Sequence, residues 1–113
     1  MARSNKPIVW SLFAAGGTLA AFAAPVLAGV FLAAALGHAP SGFGFDRAHA
    51  LAAHWFGKLA LGTVVVLFLW HAAHRLRITL HDVGLRQDKA AAVVLYLGAA
   101  IGSALAVFAL ARI

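Results

Sequence analysis

The residues best equipped for chemistry lie together between Leu69 and Asp82, in the run LWHAAHRLRITLHD. Three histidines and two arginines stand there at the polar end of an apolar segment. His71, His74 and His81 fall at i, i+3 and i+10, so a helix continued through the run stacks them on one face. Arg75 follows His71 by one turn, on the edge of that stripe. A helix leaving a membrane needs a cation or two among the headgroups; it does not need this many imidazoles. Imidazoles titrate near neutral pH, so His71 and His81, with His74 between them, are candidates to relay protons. Arg75 supplies a permanent charge that favours the anionic forms of a two-electron, two-proton carrier.

A second group lies near the start of the chain. Trp10, Phe13 and Gly17 fall at i, i+3 and i+7, again on one helical face. Their plain reading is an interfacial tryptophan with a packing phenylalanine beneath it. Trp10 and Arg75 nevertheless belong to segment ends at the same membrane depth. A flat redox ligand at that depth would want an aromatic wall and N–H donors for its carbonyl oxygens, and Trp10 has both.

Other chemistries find little support. There is no cysteine and no glutamate, and neither H-E-x-x-H nor G-x-S-x-G occurs. The chain therefore supplies no thiolates for an iron–sulfur cluster, and no metal site is expected: three imidazoles on one helix, with only Asp82 beside them, make an unusual one. Bis-histidine haem ligation wants imidazoles on facing helices at matching depth. The last segment has no histidine, which leaves His38 with His54 near the opposite surface as a weak pair. The three aspartates, Asp46, Asp82 and Asp88, all lie at segment ends. The nine Lys and Arg also sit at segment ends rather than on one aromatic-laced patch, which argues against nucleic acid.

The elements that position these groups follow from composition. Of 113 residues, 64% are hydrophobic and 11% charged, too little polar surface for a water-soluble domain of this size. We expect an all-α integral membrane protein, one domain over 1–113, with three transmembrane helices near 8–36, 47–75 and 90–110. Pro7 suits a first helical turn, Pro25 should kink the first helix, and Gly16 and Gly17 allow close approach of another. The same opening has the outline of a signal peptide, but the apolar run is long for one and two more follow. Leu36–Arg47 and Arg75–Lys89 read as connections, with Asp46 and Asp88 as expected N-caps and Gly84 as a helix stop. Lys58 reads as an interface anchor that snorkels outward. Gly98 and Gly102 form G-x-x-x-G, extended by Ser103 and Ala106, a packing face. Arg3, Lys6, Arg75, Arg77, Arg86 and Lys89 outnumber Arg47, Lys58 and Arg112, six against three. That bias predicts a cytoplasmic N-terminus and 75–89 loop, and an outside C-terminus.

The opening PIVWSLFAAGGTLAAFAAPVL resembles the first helix of the membrane-anchoring D subunit of fumarate reductase, which carries a Trp, then Leu-Phe, a Gly-Gly pair and Ala-Pro-Val. The run LWHAAHRLRITLHD is similar to the same family's motif, in which Leu-Trp leads to His-Arg and then His-Asp; here these are His74-Arg75 and His81-Asp82. Gly57-Lys58 falls where relatives tend to carry Gly-Arg. The resemblance runs through nearly the whole chain in register. It implies a three-helix anchor of quinol:fumarate reductase in the bacterial inner membrane, paired with a similar anchor of the C type. Together they would hold the flavoprotein subunit, with FAD, and the iron–sulfur subunit, with its Fe–S clusters, on the cytoplasmic face. Electrons would pass from menaquinol to fumarate, with no haem in this chain. The quinone site of the family is built from several chains; the matching positions here are Trp10 and Arg75, with His74 and Phe13 as further lining. Relatives can carry histidines just after His-Arg, where this chain has Arg77 and Ile78. Two other readings stand beside this one: a haem-carrying cytochrome b anchor of the succinate dehydrogenase type, and a small proton-linked transporter.

Overall fold

The structure is a computed structural model and describes residues 6–113. Arg3, counted above for orientation, lies outside the described residues. Four helices follow in order: α1 (Lys6–Ala35), α2 (Phe45–Ala53), α3 (Trp55–Asp82) and α4 (Asp88–Arg112). The fold is all-α, as composition requires. Three of the helices, α1, α3 and α4, are long and apolar enough to cross a membrane. At 1.5 Å per residue the 25 residues of α4 reach about 37 Å, more than a hydrocarbon core of about 30 Å.

Helix α3 is central, and α1, α4 and the short α2 all pack against it. Phe13 of α1 meets His71 and His74, while Gly16 meets Leu67 and His71, so α1 runs antiparallel to α3. Helix α4 is antiparallel to α3 as well, with Tyr96 at the level of His74 and Gly102 at the level of Leu69. Helices α1 and α3 both end in the left-handed turn that glycine allows. At Gly84 (φ 99°), the amide of Leu85 reaches the carbonyl of Leu80 and that of Gly84 reaches His81, which closes off α3. Gly37 (φ 84°) ends α1 by the same pattern.

The second apolar segment is not the single helix from Arg47 to Arg75 that its hydropathy suggests. It breaks at His54, whose backbone is extended (φ −70°, ψ 140°) and whose ring Nδ1 accepts from the Phe56 amide at 3.2 Å. The ring thus caps α3, a duty within the chain itself. Gly57 makes the turn possible, because a Cβ there would collide with the Leu51 carbonyl oxygen. At its other end α3 runs on past Arg75 to Asp82, which brings the whole histidine stripe onto one helix. Two expected caps also differ. Gly44 precedes α2 and Asp46 stands inside its first turn; Gln87 precedes α4 and Asp88 is that helix's first residue. Helix α1 continues through Pro25 without a break. In the G-x-x-x-G of α4 only Gly102 meets α3, its Cβ position 3.1 Å from Leu69 Cδ1, while Gly98 faces open space.

Very little of the chain is buried. Ala73 and Ala99 are the buried hydrophobic residues among those described, and most large apolar side chains lie outward. Such a surface is stable only against lipid or other apolar helices. The α1–α3 contact therefore rests on close backbone approach more than on a core. A Cβ at Gly16 would sit 2.7 Å from the Leu67 carbonyl oxygen, and Gly29 on the same helix has nothing within 4 Å. Gly16→Ala should lower stability by about 1–3 kcal/mol through overpacking. Gly29→Ala should leave it unchanged or raise it, because alanine is the better helix former. Thermal unfolding of the full chain in lipid nanodiscs checks the difference in sign.

Candidate functional site

The close approach of α1 and α3 creates the cluster that the sequence pointed to. With no side chain on Gly16 or Gly17, the His71 ring settles onto α1: its Cε1 lies 2.8 Å from where a Gly17 Cβ would be. Its Nδ1 lies 3.1 Å from the backbone carbonyl oxygen of Phe13. A carbonyl oxygen can only accept, so Nδ1 carries the proton and donates. The Phe13 ring stacks on His71 at 4.5 Å with an interplanar angle of 13°, and meets His74 edge-on at 4.5 Å.

His74 faces the other side of the crossing. Its Nδ1 is 2.8 Å from the Tyr96 hydroxyl on α4. That hydroxyl also receives Arg77 Nη1 at 3.5 Å. Arg77 grips Asp88 with both arms of its fork, Nε to Oδ1 at 2.9 Å and Nη2 to Oδ2 at 2.6 Å. The Trp70 ring stacks on Tyr96 at 5.8 Å and completes the aromatic wall. A continuous line of contacts therefore runs from the α1 backbone through Phe13, His74 and Tyr96 to Arg77 and Asp88 at the α3–α4 connection.

Two cavities flank this line. An apolar one of about 250 Å³ lies between α1, α3 and α4, bounded by Val9, Leu12, Phe13, Trp70, His74 and Tyr96 among others. A polar one of about 300 Å³ lies at the connection end, bounded by His74, Arg77, Ile78, His81 and Asp88. A larger groove of about 690 Å³ opens at the opposite end of α3 and α4, where Trp55 and Lys58 stand at its rim. Lys58 is half-buried there among apolar residues.

Of the residues singled out in the sequence, Phe13, His71 and His74 are brought into contact. His81 is exposed and reaches only the polar pocket. Trp10 (68% exposed) and Arg75 bound neither flanking cavity and lie on the surface. Trp10 is one turn before Phe13, about 4.5 Å along an antiparallel neighbour, which puts it near the level of Arg75. Among the described residues no three His, Asp or Glu side chains come together as a metal site would need. The sequence reading missed Tyr96, Arg77 and Asp88. Tyr96 had a signal: it is the only tyrosine in the chain, placed in an apolar run that needs no hydroxyl. Arg77 and Asp88 had a weaker one, opposite charges on either side of a short connection.

The family model that describes the D subunit of fumarate reductase matches residues 1–111. The chain belongs to the fumarate reductase D-subunit family. Among its relatives is the fumarate reductase D subunit of Actinobacillus pleuropneumoniae serotype 5b, 42% identical over 84 residues, covering 72% of this chain and 68% of the relative. That of Mannheimia succiniciproducens is 37% identical over 87 residues, with 72% and 68% covered. That of Shewanella putrefaciens is 35% identical over 107 residues, covering 92% of this chain and 88% of the relative. Membership of this family and three helices fit to span a bilayer make the chain a membrane protein with an anchor role in fumarate reductase.

The His71 contact yields a direct prediction. His71→Phe keeps a ring on Phe13 but removes the bond to its carbonyl, and should cost about 1 kcal/mol. His71→Ala also loses the stacking and should cost clearly more. His81→Ala, an exposed position, should change little. Thermal unfolding of the three variants of the full chain in nanodiscs gives the order.

Proposed function

We propose that this chain is the membrane anchor of a quinol:fumarate reductase and forms one wall of its quinone site. Its partners in this reading are a second anchor of the C type, the iron–sulfur subunit with its Fe–S clusters, and the flavoprotein subunit with FAD. The observation that carries the proposal is the concentration of ring and N–H groups at one end of the three long helices. Phe13, His71 and His74 touch there, and Trp10 and Arg75 stand exposed at the same level.

These residues suit a quinone in chemical type. Indole, guanidinium and imidazole N–H groups match its carbonyl oxygens, and the Phe13 and Trp10 rings match its flat apolar body. Trp10 and Arg75 point away from the bundle and bound neither cavity beside it, so the remaining wall has to come from partner chains. A bound quinone supplies the two-electron, two-proton exchange. Trp10 and Arg75 orient it and hold charge near its oxygens, while Phe13 and His74 line the side that faces the bundle. His71, tied to the α1 backbone through Nδ1, keeps Phe13 in place and retains only Nε2 for proton exchange. His81, exposed at the polar pocket, exchanges protons with the surrounding water.

The side of the membrane follows from the charges: Lys6, Arg75, Arg77, Arg86 and Lys89 collect at the end that holds the cluster. The positive-inside rule makes that end cytoplasmic and sends the C-terminus outward. The membrane is then the bacterial inner membrane, and the soluble subunits dock beside the cluster. An apolar helical surface this large is consistent with lipid on one side and a similar anchor on the other.

Arg75→Leu in the assembled complex should cut fumarate reduction by quinol at least tenfold. Trp10→Ala should raise the apparent KM for quinol several-fold. In both, fumarate reduction by a water-soluble dye that feeds the soluble subunits should stay at the wild-type rate. Wild-type quinol turnover in Arg75→Leu would contradict the assignment of the quinone wall.

A further inference from the structure

His74 occupies a place that lining a ligand does not explain. It bounds two cavities at once: the apolar space between α1, α3 and α4, and the polar pocket at the α3–α4 connection. Among the described residues that bound the apolar cavity, only His74 and Tyr96 carry a titratable proton. A titratable ring that separates a polar pocket from an apolar cavity is placed to move protons between them.

The hydrogen bonds allow one proton arrangement that suits such a transfer. Arg77 has no acceptor, so its Nη1 donates to the Tyr96 oxygen. The hydroxyl's own proton is then free to point at His74 Nδ1, 2.8 Å away. A neutral His74 that accepts at Nδ1 carries its proton on Nε2. His71, one turn earlier, carries its proton on Nδ1 because it faces a carbonyl oxygen. In this arrangement the two neighbouring histidines take opposite tautomers, each bonded to a different helix.

We propose that the His74–Tyr96 pair is a proton gate between the polar pocket and the apolar cavity, with Arg77 and Asp88 holding the Tyr96 hydroxyl in its donating orientation. The gate rests on the quinone reading above: Phe13 and His74, which line the side of the quinone that faces the bundle, also bound the apolar cavity, so a quinone oxygen on that side exchanges protons there while Trp10 and Arg75 hold the ring from outside. Inward, His74 Nε2 gives its proton to an oxygen in the cavity, the Tyr96 hydroxyl passes its proton to Nδ1, and the phenol oxygen takes one from the polar pocket, where His81 stands. One proton enters and one is delivered, and the ring ends neutral in the other tautomer. Outward transfer starts from that tautomer: Nε2 takes a proton from the cavity, Nδ1 releases one to Tyr96, and Tyr96 releases its own to the pocket. It ends in the tautomer with Nδ1 bare, and the His74 ring turns between protons, breaking and remaking the Tyr96 bond, before the next one moves the same way. The Arg77 guanidinium steadies the negative charge that the phenol oxygen carries between the two transfers. Asp88 keeps Arg77 there through its paired bonds. Among the described residues, α1 brings the non-titrating Phe13 against His74, α4 brings Tyr96 and Asp88 to the bond and the polar pocket, and its own helix brings His71, Arg77 and His81 to the same face.

Tyr96→Phe isolates the gate, because it keeps the ring that stacks on Trp70 and removes only the hydroxyl. The first readout needs no turnover: ¹⁵N-histidine NMR of the assembled complex, with the His74 signal identified by its loss in His74→Gln. We expect a bare, hydrogen-bonded Nδ1 and a protonated Nε2 in the wild type. In Tyr96→Phe the His74 Nδ1 signal should move to the position of a nitrogen without a hydrogen bond, while His71 stays put. A proton on His74 Nδ1 in the wild type, or no change in Tyr96→Phe, would overturn the gate. The second readout is quinol-linked fumarate reduction. Here Tyr96→Phe should lower kcat about 10–100-fold. The KM for quinol should be unchanged, the solvent deuterium isotope effect larger, and dye-linked fumarate reduction normal. A raised KM with normal kcat would show that Tyr96 only shapes the cavity and would also overturn the gate. If Tyr96→Phe turns over normally while Arg75→Leu is impaired, the gate fails and the quinone wall stands. If both turn over normally, both fail. Should Tyr96→Phe not assemble, Arg77→Gln decides by the same two readouts, with the same changes expected in smaller measure.

Discussion

The crossing of α1 over α3 is the contact on which the rest of the arrangement depends. Gly16 and Gly17 lack the side chains that would hold the two backbones apart, and the Leu67 carbonyl and His71 Cβ fill the space. That proximity lets an imidazole on one helix reach a main-chain carbonyl on the other. The His71–Phe13 bond in turn presents the Phe13 ring to both histidines. Without the close crossing, Phe13 and His74 would face lipid instead of each other. The site is therefore a consequence of two small residues well inside an apolar helix, and the polar groups are arranged upon it.

A bundle this thin cannot be stabilised as a soluble domain is. With only Ala73 and Ala99 as buried hydrophobic residues among those described, it has almost no core from which water would be expelled, and in a bilayer that expulsion is not the driving force in any case. Close packing at Gly16, Gly57 and Gly102 supplies contact, and the Arg77–Asp88 pair ties α3 to α4 at the end where α4 begins. The pair is partly exposed, so it contributes more to orientation than to stability. What it orients is Tyr96, and through Tyr96 the ring of His74. The outward apolar surface, with Trp10 on it and Arg75 beside it, is what an anchor looks like when its partners complete it.

Much of this was legible in the residues. Long uncharged runs read directly as spanning helices because a bilayer demands about 20 apolar residues and little else. The Gly16-Gly17 pair read as a contact because glycine in an apolar helix has few other uses. The histidine spacing placed His71 and His74 on one face, and the structure holds both against Phe13. Other features depend on contacts between segments distant in sequence, which periodicity does not encode. Nothing local says that the His54 ring caps a new helix, or that Leu51 presses on Gly57, so the break between α2 and α3 was invisible. Asp88 looked like a cap because it stands at a helix start; its carboxylate is instead held by an arginine eleven residues earlier in the chain. Tyr96 could have been found by asking why an apolar helix keeps one hydroxyl.

The most direct test of the account is affinity purification of the full chain from its native membranes in mild detergent, with mass spectrometry of what accompanies it and one visible spectrum. The account predicts a flavoprotein, an iron–sulfur protein and a second three-span anchor in equal amounts, with no haem band. Recovery of the chain alone, or only with copies of itself, would contradict the anchor role, and the histidine cluster would then belong to a transporter rather than to a quinone site.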